Sequence, residues 1–285
     1  MIVDAHSHIF PPEIIARRAE YAARDLWFAE LYGDPQAKMA DADMLLAAMD
    51  ASGVDHAVTF SFGWSDPGLI AQCNSYVIEA VTRAGGRLTG LAVVQPTAGS
   101  RAVAEVERCM DAGLRGVGEL MPHGQGYRLS ELAEVGPIVE VVQARGGVLL
   151  THTSEPVGHI YPGKGNVAPS DLLALAQAFP ALRIVAAHWG GGLPFYELMP
   201  EVRAAATNIY YDSAASLFLY QPEIFAQVAA ICGPEKLLWA SDYPLIAQSR
   251  MLAYARRSGL DADALALALG GNAARLFGLE EQPRP

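Results

Sequence analysis

The sequence predicts an α/β chain, a (β/α)8 TIM barrel built as one domain over residues 1–285 with an inserted segment after the first strand. Three observations predict it. Eight short runs, at 2–5, 57–61, 88–95, 116–120, 148–151, 184–187, 209–212 and 237–240, are almost wholly apolar, as parallel strands buried on both faces must be. Longer stretches of helical period separate them, clearest at 41–51, 74–84, 101–112, 132–145, 169–179 and 222–232. The length of 285 residues suits one such barrel, about 250 residues plus insertions.

The helix limits have local causes. Asp41 stands where an N-cap is needed, and Ser170-Asp171 follow Pro169 at the start of another helix. Gly53, Gly85, Gly113 and Gly146 stand where helices should stop. An open doubly wound sheet is the rival architecture. It would carry a glycine fingerprint after its first strand, where this chain has His6-Ser7-His8. The segment 10–40 is long for a first loop and holds Pro11, Pro12, Trp27, Phe28, Tyr32 and Pro35. It is expected either to form a lid over the barrel mouth or to pack as a helical insertion on its side. The composition of 280–285 suggests a frayed end.

Bulk composition narrows the partners. The formal net charge is -11, and a phosphate backbone needs a basic surface, so nucleic acid is not an expected partner. No apolar run is long enough to span a membrane. Cys73, Cys109 and Cys232 lie far apart without a CxxC pair, which reads as free thiols in a reduced, cytoplasmic setting. The expected partner is a small-molecule substrate, with homo-oligomer formation left open.

The chemistry lies at the strand ends. His6 and His8 follow the first run, His152 the fifth and His188 the sixth, while Asp242 follows the eighth. That is the face on which barrel active sites are built. Residues two apart on a strand point the same way, so His6 and His8 can both face the barrel axis. A single histidine is more often structural than a ligand. Four of the seven histidines at such ends, with an aspartate, form a metal site. Imidazole with carboxylate suits Zn2+ at one or two ions per chain, and Mn2+, Fe2+ and Co2+ fit the same donors.

Five segments, DAHSHIFPP (4–12), LLTHTSEP (149–156), AAHWGGGLPF (186–195), WASDYP (239–244) and GGNAARLFGL (270–279), resemble the amidohydrolase superfamily from end to end. Within it they resemble the amidohydrolase-2 group, which includes the aminocarboxymuconate-semialdehyde decarboxylase relatives. The resemblance implies that His6, His8 and His152 bind metal, with Asp242 completing the site and handling a proton. It implies that His188 binds a second metal or polarises the substrate. Asp242 and His188 are thus the expected catalytic residues.

Glu119, which ends the fourth run, is the further candidate ligand. It is similar to the glutamate that bridges two metals in TatD-type nucleases, and it turns the expectation toward a metal-dependent hydrolase of a small polar or carboxylated substrate. The alternative function is a non-oxidative decarboxylase of the aminocarboxymuconate-semialdehyde or hydroxybenzoate type. The alternative role for Glu119 is an ion pair with Arg115 or a loop arginine. A third reading, a barrel that uses its metal for stability alone, fits poorly with an open site that has a carboxylate beside the metal. Glu155, His159, Tyr161 and Lys164 crowd the loop after the fifth run, with His123 after the fourth, and are candidates for substrate binding. His56 precedes the second run and reads as structural, while Trp64, Trp189 and Tyr243 read as packing.

Overall fold

A computed structural model of the chain describes residues 1–279; the frayed end expected at 280–285 lies outside the described residues. Eight strands occur in the predicted order: β1 (Val3–His8), β2 (His56–Phe60), β3 (Leu88–Gly90), β4 (Gly116–Leu120), β5 (Val148–Thr151), β6 (Arg183–Ala186), β7 (Ile209–Asp212) and β8 (Leu237–Leu238). They pair in parallel as β1-β2-β3 and as β4 to β8 in sequence order. Backbone hydrogen bonds join the two sets at both seams. Ala92 N donates to Gly116 O and Gly118 N to Ala92 O, each at 2.9 Å; Ala5 N donates to Trp239 O at 3.0 Å and His8 N to Tyr243 O at 2.7 Å. The ring of eight strands therefore closes.

Three strands differ from the expectation by more than a one-residue shift. The first run extends to His8, so both histidines lie within β1. The third and eighth are shorter, ending at Gly90 and Leu238, because the chain beyond them meets its neighbours through isolated bridges, Ala92 with Val117 and Ser7 with Tyr243. Among helices, Asp41 caps the one at Ala42–Ser52 by accepting from Met44 N, and Gly53 ends it with φ 69°. Helix Pro67–Arg83 starts seven residues before the predicted 74, because Asp66 accepts from Leu69 N and Pro67 opens the first turn. The cap expected at Ser170-Asp171 does not form. The N-cap of helix Pro169–Ala178 is Ala168, and Asp171 instead accepts from Arg128 Nη2 and Ser130 Oγ, each at 2.9 Å.

Strand alternation divides the core into two apolar clusters. Val3, Ala5, Val58, Phe60, Val148 and Leu150 belong to the inner one, whereas Ala57, Val117, Leu149 and Ile184 pack outward under the helices. Two register shifts interrupt the alternation. Between Asp4 and Ser7, β1 advances three residues while β2 advances two, and between Val117 and Leu120, β4 does the same against β5. Each extra residue reverses the parity of the residues beyond it. His6 and His8 consequently share the inward face with Val3 and Ala5, and Glu119 turns inward beyond the outward Val117. No helix among the described residues is long and apolar enough to cross a membrane.

The closure of β4 on β5 depends on a glycine. At Gly116, φ is 148° and an added Cβ would sit 1.9 Å from Val148 O, so Gly116→Ala should destabilise the fold by about 3 kcal/mol or more. Gly53 shares a positive φ but faces open space, and Gly53→Ala should cost only about 1–2 kcal/mol. Urea denaturation of the two variants checks the order; equal losses would contradict the close approach of Gly116 to β5 as the cause.

Candidate metal centre

The inward turn of β1 and β4 brings His6, His8 and Glu119 to the C-terminal mouth of the barrel, where His152, His188 and Asp242 also converge. All six are buried. Each histidine has its outer nitrogen committed. His6 Nδ1–H donates to Asp212 Oδ2 at 2.9 Å, His8 Nδ1–H to Ser61 O at 3.2 Å, His152 Nε2–H to Lys164 O at 3.1 Å and His188 Nδ1–H to Ala214 O at 3.0 Å. An oxygen that only accepts must receive the ring proton, so these partners set the tautomers. The inner nitrogen of each ring then presents a lone pair to Glu119 and Asp242.

These donor atoms fall into two sets that share Glu119. His6 Nε2 lies 3.2 Å from His8 Nε2, and the two lie 3.7 and 3.4 Å from Asp242 Oδ1 and 3.7 and 3.6 Å from Glu119 Oε2. On the other side, Glu119 Oε1 lies 3.1 Å from His152 Nδ1 and 3.7 Å from His188 Nε2. Neighbouring donors around a cation with bonds of about 2.1 Å stand roughly 3.0–3.4 Å apart, so the first set needs only a small contraction to hold one. The donors therefore fit a divalent metal. The ion pair between Glu119 and Arg115 does not form; Glu119 faces four histidines, and Arg115 lies four strand residues, about 13 Å, away.

The electrostatics agree. Burial would lower His6, but the carboxylates of Asp212, Glu119 and Asp242 outweigh it and raise its pKa to about 9. His188 is raised to about 10 against the same burial, by Glu119 first and then Asp242. Conversely the histidines hold Asp242 down to about 2 and Glu119 well below the usual range, although burial opposes both shifts. Two of the six sit on left-handed backbone, His188 at φ 56° and Asp242 at φ 60°, which costs about 1–2 kcal/mol each. Hydrogen bonds tie them down, from His188 N to Asp212 Oδ1 at 3.0 Å and from Asp242 N to His6 O at 3.1 Å.

Asp212, at the end of β7, was not among the expected residues. It positions the His6 ring and the His188 backbone with one carboxylate. The signal was available, since it ends a buried run on the same face as the histidines. Asp4 plays a similar part, accepting from Ser241 N and Gln248 Nε2, each at 2.8 Å, on the outward side of β1.

Above the cluster lies a cavity of about 480 Å³. His8, Glu119, His152, His188 and Asp242 form its floor; Trp27, Leu31 and Tyr32 from segment 10–40 form one wall, and Phe218 and Leu245 another. His159 and Tyr161 line it as expected of substrate contacts, whereas Glu155, Lys164 and His123 do not. Each of those three makes a hydrogen bond within the loops. Glu155 accepts from Tyr161 Oη at 3.0 Å, Lys164 Nζ donates to the carbonyls of Val157 and His159, and His123 Nδ1 meets Asn166 Oδ1 at 2.9 Å. Lys38 lines the mouth and donates to Leu245 O at 3.0 Å. His56 is remote, bonded to Thr89 Oγ1 at 2.8 Å and lowered by burial to about 4. Trp64 and Trp189 are fully buried packing residues.

A family model described as amidohydrolase matches residues 3–279. No curated protein matches the chain by sequence. The crystal structure of 5-carboxyvanillate decarboxylase LigW from Sphingomonas paucimobilis is similar at a TM-score of 0.80 and 19% identity, with 98% of this chain and 99% of that one covered. The 5-carboxyvanillate decarboxylase of Novosphingobium aromaticivorans, solved with manganese and 4-hydroxy-3-methoxy-5-nitrobenzoic acid, gives 0.78 and 19%, covering 98% and 96%. The 2,6-dihydroxybenzoate decarboxylase from Rhizobium gives 0.76 and 17%, covering 98% of both. At such identities the likeness establishes the fold.

The raised histidines predict proton release. A cation must displace the proton that the raised His6 holds, and it disfavours the one on the neighbouring His188, so loading the apoprotein with Mn2+ at pH 7.5 should release protons. Affinity should fall as the pH is lowered. Calorimetry in buffers of different ionisation enthalpy measures the count, and zero release or proton uptake would contradict this electrostatic picture.

Proposed function

The chain belongs to the amidohydrolase family, and from that premise we propose that it is a metal-dependent, non-oxidative decarboxylase of a small aromatic acid of the hydroxybenzoate type. The observation that carries this reading is the cavity, whose apolar walls stand over a floor of imidazoles and carboxylates. A flat aromatic body suits the Trp27, Tyr32 and Phe218 walls, with its carboxylate directed to the floor. The similar structures named above belong to decarboxylases of such acids. They support decarboxylation, the alternative in the sequence reading, better than the hydrolysis placed first there.

His6, His8, His152 and Asp242, with Glu119 between the two donor sets, would hold a divalent cation, whose positive charge would polarise a carboxylate or carbonyl oxygen of the substrate. Manganese is the ion in the Novosphingobium enzyme, and a sulfur-free set of imidazoles and carboxylates is compatible with Mn2+ as well as with Zn2+. His188 presents Nε2 to the cavity and orients the substrate oxygens. Asp242 moves the proton: its carboxylate touches His8 and also faces the cavity. In decarboxylation the bond between the ring carbon and the carboxylate carbon breaks, carbon dioxide leaves, and the ring carbon takes a proton relayed through Asp242 from solvent. Hydrolysis is the second reading. Glu119 favours it, because its two oxygens face separate histidine pairs, as a bridge between two ions would require.

Metal-replete protein supplied with 2,6-dihydroxybenzoate, 5-carboxyvanillate and related acids, beside esters, lactones and amides, separates the two. The expected result is carbon dioxide from an acid without uptake of solvent oxygen. Cleavage of an ester, lactone or amide with no carbon dioxide from any acid would instead establish the hydrolase. Under either chemistry Asp242→Asn should lower kcat by about 10²–10⁴-fold while the fold persists, since an amide cannot exchange the proton. Turnover within a few-fold of wild type would remove Asp242 from its role.

A further inference from the structure

The loop from His152 to helix Pro169–Ala178 forms one side of the cavity, and Lys164 lies at its root, only 8% exposed. A buried ammonium must recover its lost hydration from nearby acceptors. Its Nζ donates to Val157 O at 2.7 Å and to His159 O at 3.0 Å, and it stands 5.8 Å from the centre of the Tyr161 ring. The main chain of the same residue faces the metal centre. Lys164 O accepts from His152 Nε2 at 3.1 Å and from the Ser154 hydroxyl, and Lys164 N donates to Tyr161 O at 3.2 Å.

This segment is also tied by Tyr161 Oη, which donates to Glu155 Oε2 at 3.0 Å, and by Gly163 N, which donates to Glu30 Oε1 at 3.3 Å. Gly158, Gly163 and Gly165 have φ of 88°, 89° and 63°, and the side chains of Val157 and Ile160 are 74% and 87% exposed, without core packing to hold them. Yet His159 and Tyr161 must stand in place to line the cavity. The bonds from the Lys164 ammonium hold the main chain at Val157 and His159.

We propose that Lys164 is a positioning residue that ties the cavity wall at 157–161 to the orientation of His152, so that wall and ligand are set together. The side chain holds the wall, the carbonyl holds the outer proton of His152, and the two ends of one residue cannot shift independently. A ligand that presses on His159 or Tyr161 therefore acts on the aim of His152. The aim matters through the metal-dependent reading above, on which this inference rests; the tether to the wall does not depend on it.

The test compares wild type, Lys164→Met and Lys164→Arg, with circular dichroism to verify folding. Hydrogen exchange over 155–163 reads the wall, and Mn2+ affinity with the Mn2+ electron paramagnetic resonance spectrum reads His152. Methionine keeps the volume and loses both donors. It should speed exchange by about tenfold or more and weaken Mn2+ binding by about 10–100-fold with an altered spectrum, the usual effect of disturbing what holds a ligand histidine. Arginine retains donors for both carbonyls and should restore both readouts to within a few-fold. If Lys164→Met fails to fold, Lys164→Gln, too short to reach both carbonyls, replaces it. A loosened wall with unchanged Mn2+ affinity and spectrum would overturn the coupling, as would unchanged exchange or equal loss in the methionine and arginine variants. Wild type that binds no Mn2+ would overturn the metal-dependent reading and the coupling with it, whereas one that binds Mn2+ but shows no change in the variants would leave that reading standing.

Discussion

Six electron-pair donors converge at the mouth of this barrel, and their mutual repulsion in a buried setting is the constraint around which the site is organised. Four imidazole nitrogens and two carboxylates face one another at 3.1–3.7 Å. In a region with little water such a cluster needs positive charge, supplied either by protons or by a cation. The raised His6 and His188 and the lowered Glu119 and Asp242 are two faces of that one requirement. Removing any single member alters the charge balance for all the others, so their contributions cannot be added one by one.

The surrounding structure serves to keep the lone pairs aimed. Three backbone carbonyls and Asp212 take the outer ring protons, leaving the inner nitrogens in one tautomer. Left-handed backbone at His188 and Asp242 is uphill for both residues, and the hydrogen bonds of Asp212 and of the His6 carbonyl hold it. The fold thereby places some of its least favourable local geometry at the point where position matters most.

Aim alone does not select a substrate. The walls come from elements remote in sequence: the segment after β1, the loop after β5 and the segments carrying Phe218 and Leu245. They are largely apolar, while the floor is polar. Under the proposed function, the ligand that would satisfy both is amphipathic, flat and acidic at one end, as an aromatic acid is. Water activation and carboxylate chelation require nearly the same ligands, so the choice between the chemistries falls to these walls and to Glu119 rather than to the histidines.

Much of this was legible in the residues alone. Apolar runs separated by helical periods determined the order of eight strands and the barrel, and histidines at strand ends marked the candidate metal centre, because side-chain type and spacing are local properties. Asp212 was readable by the same rule, though a carboxylate ending a strand attracts less notice than a histidine. What the sequence could not decide was register. The extra residues in β1 and β4 turn His6, His8 and Glu119 inward, yet a bulge appears only when a strand is laid against its neighbour. Lys164 shows the same limit. As a cation on a loop beside the site it reads as a substrate contact, but tertiary packing buries it and spends its protons on two loop carbonyls. Local chemistry thus determined which residues can act, and pairing across the barrel decided where they point, because direction depends on contacts between segments that lie far apart in the chain.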